Sequence, residues 1–199
     1  AAAKTADECT WGVHSFPLPF EFWVEKMQHG QHLVVPPFEH IPAVCLNPQI
    51  KWRSRVHWFL ADRWVRKSHP QAAALLCDAN GYFTETSTAN LFVVKNGKLR
   101  TPREEVTLNG ISRRVTLELA EKLGIDWSWA DLSEKDMLEA DEIFTSSTPF
   151  GIMPVTRFND SPMGTSEHGE VFLQLMTAWN DLAGLDIMEQ IRVGARERN

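Results

Sequence analysis

A chain of 199 residues, 43% hydrophobic and 23% charged, has the composition of a folded domain with one core, or a core with an appendage. A net charge of −6 and a pI near 5.6 argue against phosphate-backbone binding as the main task, since that footprint needs a basic excess. No apolar run approaches a membrane span, and the opening residues lack the basic-then-apolar order of a signal peptide. Cys9, Cys45 and Cys77 have neither paired nor metal-ligand spacing, which points to a reducing, cytoplasmic setting. The sequence opens without methionine, so residue 1 is not expected to be the native start.

In chain order, residues 11–35 combine Phe16-Pro17-Leu18-Pro19-Phe20 with an expected short strand, a turn at Gly30 and a strand over 31–35 that stops at Pro36-Pro37. His29, His32 and His40 match no zinc spacing and read as surface or loop histidines. A loop marked by Pro42 and Pro48 follows. Residues 53–69 then carry a helical pattern, with Val56, Phe59, Leu60 and Trp64 as the apolar stripe against Arg55, Asp62, Arg66 and Lys67, ended by Pro70. Just ahead of it, Lys51 sits between Ile50 and Trp52, neighbours that can lower an amine's pKa by desolvation. The plainer reading is an exposed lysine beside a helix start.

Residues 75–124 are the densest part of the chain. Asn80-Gly81 and Asn96-Gly97 each lie between β-rich runs and predict tight type I′ turns, hence a meander of three or four strands. Alternation puts Glu85 on the same face as Phe83, a place where a carboxylate needs a partner: a salt bridge, solvent, or a cationic ligand. Gly110-Ile111-Ser112 opens a helix with Val115, Leu119 and Leu123 as its stripe and Gly124 after its end. A helix start of this kind can receive an anion, because its first N–H groups lack internal partners and Gly110 admits a ligand. It can equally be a plain capped helix.

Residues 125–129 read as a strand, and Ser133 with Asp136 as the cap of a short helix through Ala140. Two β runs, 142–147 and 152–157, flank Thr148-Pro149-Phe150-Gly151. Residues 159–169 read as loop and 170–182 as a closing amphipathic helix with Val171, Leu175, Ala178 and Leu182 inward. The eight tryptophans are expected mostly in core or interface.

Taken in order, Ile50-Lys51, Asp78-x-x-Gly81, Thr84-Glu85 with Asn90-Leu91-Phe92, Thr101-Pro102, Asn109-Gly110-Ile111-Ser112-Arg113, Thr145-Ser146-Ser147-Thr148 and Met153-Pro154-Val155 closely resemble the class IV aminotransferase family, the fold type IV pyridoxal-phosphate enzymes. That family includes branched-chain and D-amino-acid aminotransferases and 4-amino-4-deoxychorismate lyase. The resemblance implies an α+β fold, the larger C-terminal domain of these enzymes, with a mixed barrel-like sheet flanked by helices. It implies pyridoxal 5'-phosphate as cofactor and an amino acid or amino-substituted acid as substrate, with no nucleic-acid, membrane or metal partner.

It further implies that Lys51 is the Schiff-base lysine and proton carrier, that Glu85 faces the pyridine nitrogen, and that Leu108 packs on the ring. Gly110, Ile111 and Ser112 would hold the phosphate together with Thr148. Pro149, Phe150 and Arg55 would stand near the substrate, although Pro149 has no N–H to offer. The aminotransferases commonly carry a tyrosine five positions after the lysine; here Val56 stands there, with Arg55 before it, which is closer to the lyase. The implied reaction is transamination between an amino acid and a 2-oxo acid, with pyruvate elimination from aminodeoxychorismate as the alternative. Relatives also carry a smaller N-terminal domain that this sequence lacks. That domain is expected on another chain or in a longer protein, or else the domain is catalytically silent. Relatives build their sites near a subunit boundary, so a homodimer is expected.

Overall fold

A computed structural model describes residues 11–163 and 168–197, and these described residues form nine strands and six α-helices. The strands are β1 (Gln31–Val34), β2 (Ala73–Cys77), β3 (Phe83–Thr86), β4 (Asn90–Lys95), β5 (Lys98–Pro102), β6 (Trp127–Ala130), β7 (Glu142–Ser147), β8 (Gly151–Phe158) and β9 (Ser161–Pro162). The helices are α1 (Val24–His29), α2 (Val56–Ser68), α3 (Ile111–Lys122), α4 (Glu134–Leu138), α5 (Glu170–Ala183) and α6 (Ile187–Arg196).

The expected meander is present as β2 to β5, each strand antiparallel to the next. It becomes part of a closed ring. β2 pairs in parallel with β1, β1 in parallel with β8, β8 antiparallel with β7, and β7 antiparallel with β4. The single β3–β4 pair, Glu85 opposite Asn90, shuts a six-stranded mixed barrel. One residue or more from every barrel strand points inward: Leu33, Leu75, Phe83, Leu91, Val93, Ile143 and Val155 share one core. The alternate residues Phe92, Val94, Phe144 and Ile152 face outward into a second core under α3, α5 and α6. Both faces of β4 and β7 are therefore buried, which is why β4 runs Leu91-Phe92-Val93-Val94 without alternation and β7 buries Ile143 and Phe144 on opposite faces. Glu142 ties α5 to the barrel, accepting hydrogen bonds from the N–H groups of Val171 (2.9 Å) and Phe172 (2.8 Å) at a helix start with no cap of its own.

Several expectations are corrected. Asn96-Gly97 has both φ angles positive, as a type I′ turn requires, but at Asn80-Gly81 only Gly81 does. There the Asp78 carboxylate accepts from the N–H groups of Asn80 and Tyr82 and shapes a wider turn. No strand precedes Gly30 among the described residues; a 3₁₀ turn (Phe20–Phe22) and α1 occupy that stretch. In α2 the buried residues are Trp58, Ala61 and Val65, packed on Ala72, Ala74 and Leu76, while Val56, Phe59, Leu60 and Trp64 are exposed. In α3 the inward face runs through Ser112, Thr116, Leu119 and Ala120, and Leu123 is exposed. Leu182 is exposed too, and α5 does not close the chain, because α6 follows behind an Asp186 cap. Part of the loop expected over 159–169 lies outside the described residues, and β9 occupies another part. Of the tryptophans only Trp58 is buried outright.

Candidate active site

At the barrel end where β3 and β7 finish and β4 begins, the wall opens into a cavity of about 270 Å³, toward the small end of ligand-sized sites. Its edges come from four places. The segment ahead of α2 brings Lys51 and Arg55, the β3–β4 turn brings Glu85 and Asn90, and the start of α3 brings Leu108 to Ser112. The β7–β8 turn adds Ser146, Ser147 and Thr148.

Glu85 is the pivotal charge. It is 9% exposed, and among the described residues the one basic side chain within ion-pair distance is the His40 imidazole, at 3.8 Å. Its Oε2 accepts from Asn90 Nδ2 at 2.9 Å, and the Leu108 N–H reaches both carboxylate oxygens at 3.2 Å. Burial pushes its pKa up to about 7, against the lowering effects of the Leu108 N–H and of Arg113, Arg55 and Lys51. Asn90 also donates to the Leu108 carbonyl at 3.0 Å, so one amide joins strand, carboxylate and the loop that leads into α3.

The α3 start is open. Gly110 is its N-cap and no side chain caps it, which leaves the first backbone N–H groups facing the cavity with the positive end of the helix dipole. A Cβ on Gly110 would lie 2.2 Å from Asn90 Oδ1, so glycine is required by close packing rather than by a positive φ. The buried Arg113 holds the approach to α3 in place. It donates to Thr107 Oγ1 at 2.5 Å and to Asn109 Oδ1 at 3.3 Å while its guanidinium lies 5.1 Å from the Trp129 ring centroid.

Of the residues singled out in the sequence, Lys51, Glu85, Leu108, Gly110, Ile111, Ser112, Thr148 and Arg55 all line this cavity. Pro149 and Phe150 do not. Phe150 is buried in the core beneath α1, edge-on to Trp23 at 5.9 Å, because the turn into Gly151 sends its ring away from the cavity. Lys51 is exposed, so its apolar neighbours do not bury it. Arg55 donates to the Ser87 carbonyl.

Sequence reasoning missed three residues. His40 was read as surface or loop, yet its side chain is only 10% exposed in the cavity wall. Asn90 was quoted in a motif without a role, although a tight turn between Glu85 and Asn90 was a signal that they face each other. Ser146 is buried in the lining with an Oγ that has no partner among the described residues.

The donor set fits a small aromatic phosphate. An uncapped helix start with a buried serine suits the dianion, an orphaned hydroxyl points to a further polar atom, and a buried carboxylate suits a protonated ring nitrogen. Among the described residues no group of three His, Cys, Asp or Glu side chains could hold a metal, and no helix is long and apolar enough to cross a membrane.

The chain is 31% identical over 160 residues to a Thermotoga maritima protein named "probable branched-chain-amino-acid aminotransferase", covering 77% of this chain and 55% of that protein. It is 35% identical over 111 residues to the D-alanine aminotransferase of Listeria monocytogenes, covering 55% of this chain and 38% of the relative. Among solved structures, it superposes on the branched-chain amino acid aminotransferase of Escherichia coli with a TM-score of 0.75 and 29% identity, covering 79% of this chain and 52% of that one. The chain thus spans about half the length of the curated relatives it matches. Residues 2–158 match the profile of the family described as amino-transferase class IV, and the chain belongs to that family, whose cofactor is pyridoxal phosphate.

Proposed function

We propose that this chain is the larger, cofactor-binding domain of a pyridoxal-phosphate-dependent aminotransferase that acts on an amino acid and 2-oxo acid pair. The observation that carries the reading is that one cavity takes in Lys51, Glu85, Ser112 and Thr148, four groups widely scattered in sequence. The aminotransferase names of the relatives support transamination over pyruvate elimination.

When bound, the cofactor supplies an electron sink for the charge that develops at the substrate Cα. This chain's residues do the rest. Lys51 Nζ anchors the cofactor and then moves a proton at Cα. Glu85, as carboxylate, holds the ring nitrogen protonated, and Asn90 and Leu108 keep that carboxylate aimed. Leu108 would pack on the ring. The N–H groups of Ile111 and Ser112, with the hydroxyls of Ser112 and Thr148, would hold the phosphate, and Gly110 would let it approach. Arg55 supplies a cation for the substrate's carboxylate, while Pro149, which lies outside the cavity lining, takes no part.

Incubation with pyridoxal phosphate should produce a visible absorbance band, and borohydride should then fix the cofactor's mass to the peptide that carries Lys51. Attachment at any other lysine overturns the assignment. Replacing Ser112 by alanine removes one hydroxyl donor to a dianion, so cofactor affinity should fall about 10- to 100-fold while the band of bound cofactor keeps its position, as read by spectral titration.

We further infer a cytoplasmic homodimer. The free thiols of Cys45 and Cys77 support the compartment, and the exposed Val56, Phe59, Leu60 and Trp64 along α2 support a second copy packed there. Sedimentation at micromolar concentration should give twice the chain mass, and Phe59→Asp should return it to the monomer value.

A further inference from the structure

His40 has no part in the roles described so far, yet it is fixed at the back of the cavity. Its N–H donates to the Cys77 carbonyl at 2.7 Å, and its ring packs edge-on against His57 (5.7 Å) and Trp58 (5.5 Å). Its Nδ1 lies 3.0 Å from the Ile41 carbonyl, which can only accept, so Nδ1 carries a hydrogen. In the neutral ring Nε2 is then the bare nitrogen, and it faces Glu85 Oε1 at 3.8 Å. Oε1 is also the oxygen that Asn90 leaves free, since the Asn90 amide binds Oε2.

We propose that His40 is a positioning residue for Glu85: its clamped ring presents Nε2 to Oε1 across 3.8 Å, an ion-pair and not a hydrogen-bond distance, so that a small closure of that gap lets the two side chains exchange one proton at the cavity wall. In one form the proton sits on Oε1 and His40 is neutral. In the other the O–H bond has broken, an N–H bond has formed at Nε2, and a carboxylate faces an imidazolium with the net charge unchanged. The pair thus keeps a proton within reach of a basic ring nitrogen in the cavity and delivers Glu85 as the carboxylate that such a ring requires. This last step rests on the cofactor reading above; the shared proton does not.

Burial pushes His40 below its ordinary range and Glu85 up to about 7, so that in the cofactor-free protein burial leaves the proton on Glu85 and His40 neutral. The charges around the pair act the other way. Lys51 and Arg55 ahead of α2 and Arg113 in α3 pull Glu85 back down, Asp78 beyond β2 pulls His40 up, and His57 in α2 is a second imidazole beside His40. The cations keep the carboxylate form accessible despite its burial.

The test is an NMR titration of cofactor-free protein with ¹³C-labelled Glu carboxyl and His ring carbons. Glu85 is assigned by its loss in Glu85→Gln and His40 by its loss in His40→Gln. In the wild-type protein each of the two curves should show the inflection of the other. Glu85→Gln should reduce the His40 curve to a single step, and His40→Gln should move the Glu85 midpoint by on the order of one pH unit. Should His40→Gln not fold, the His40 curve in Glu85→Gln reads the same coupling from the other side. Curves that superimpose with and without the partner overturn the pair, even if the wild-type protein binds pyridoxal phosphate. Coupled curves in a protein that never takes up pyridoxal phosphate uphold the pair and overturn the cofactor reading.

Discussion

Lys51→Ala is expected to abolish turnover, by more than about 10⁴-fold, with almost no change in folding. The two halves of this result have separate causes. Lys51 is exposed, so its removal leaves no buried group unpaired and should change stability by no more than about 0.5 kcal/mol. In the proposed reaction the same amine both anchors the cofactor and moves the proton at Cα, and none of the other described residues lining the cavity carries an amine. Arg55, also in the lining, is always charged and cannot act as base. The variant should still bind the phosphate group through the α3 start, so pyridoxal phosphate should remain displaceable by inorganic phosphate while borohydride no longer fixes it. Unchanged turnover in the variant, with the cofactor fixed elsewhere, would remove Lys51 from the chemistry. Loss of activity together with a large fall in melting temperature would make Lys51 a residue of the fold.

What could be read from the sequence follows a physical divide between local and distant causes. Asn96-Gly97 specifies its turn through its own φ preferences, and the Ser133/Asp136 capping box is written within four residues; both are present. Asn80-Gly81 carries the same dipeptide signal but loses to Asp78, whose carboxylate takes over the backbone donors of the turn. Periodicity identified α2 as a helix without telling which of its apolar faces turns inward. Small residues beneath it, Ala74 in β2 and Ala72 just before that strand, accept Trp58 and leave Phe59 and Trp64 outside. Asp186 with Glu189 had the capping spacing of a last helix and was overlooked. The barrel itself depends on β1 meeting β8 and β4 meeting β7, pairings between residues far apart in sequence that no local signal encodes. At the site, ordered motifs carried Lys51, Glu85, Ser112 and Thr148. His40 and Ser146 acquire their surroundings only when the ring closes, and Phe150 looked available only because the turn's direction into Gly151 was not legible.

Glu85→Gln should do something that removal of a merely structural carboxylate cannot: it should stabilise the cofactor-free protein at alkaline pH while it cripples turnover. The folded protein raises the Glu85 pKa from 4.5 to about 7 because burial penalises its charge. A carboxyl that binds its proton more tightly in the folded state contributes no penalty below the unfolded value, where both states are protonated. As pH rises from about 4.5 to 7 the unfolded chain ionises first and stability falls by about 1.4 kcal/mol per unit, reaching a full penalty of roughly 3 kcal/mol above pH 7. Glutamine has nearly the same shape and no charge to desolvate. Its oxygen can take the Oε2 place and keep the Asn90 and Leu108 donors, while its amide nitrogen faces Nε2 of His40, an acceptor. The variant should therefore melt higher than the wild-type protein at pH 8, by roughly 6–12 °C, and at the same temperature near pH 4. Its turnover should fall on the order of 10²–10³-fold, the size of loss seen when a preorganised charge leaves an active site, with a far smaller change in cofactor affinity because the phosphate and Lys51 contacts remain. A melting temperature that drops at pH 8, or a difference that does not vary with pH, would mean that Glu85 is paired and ionised in the fold, and that the carboxylate facing the cavity is held there for packing alone.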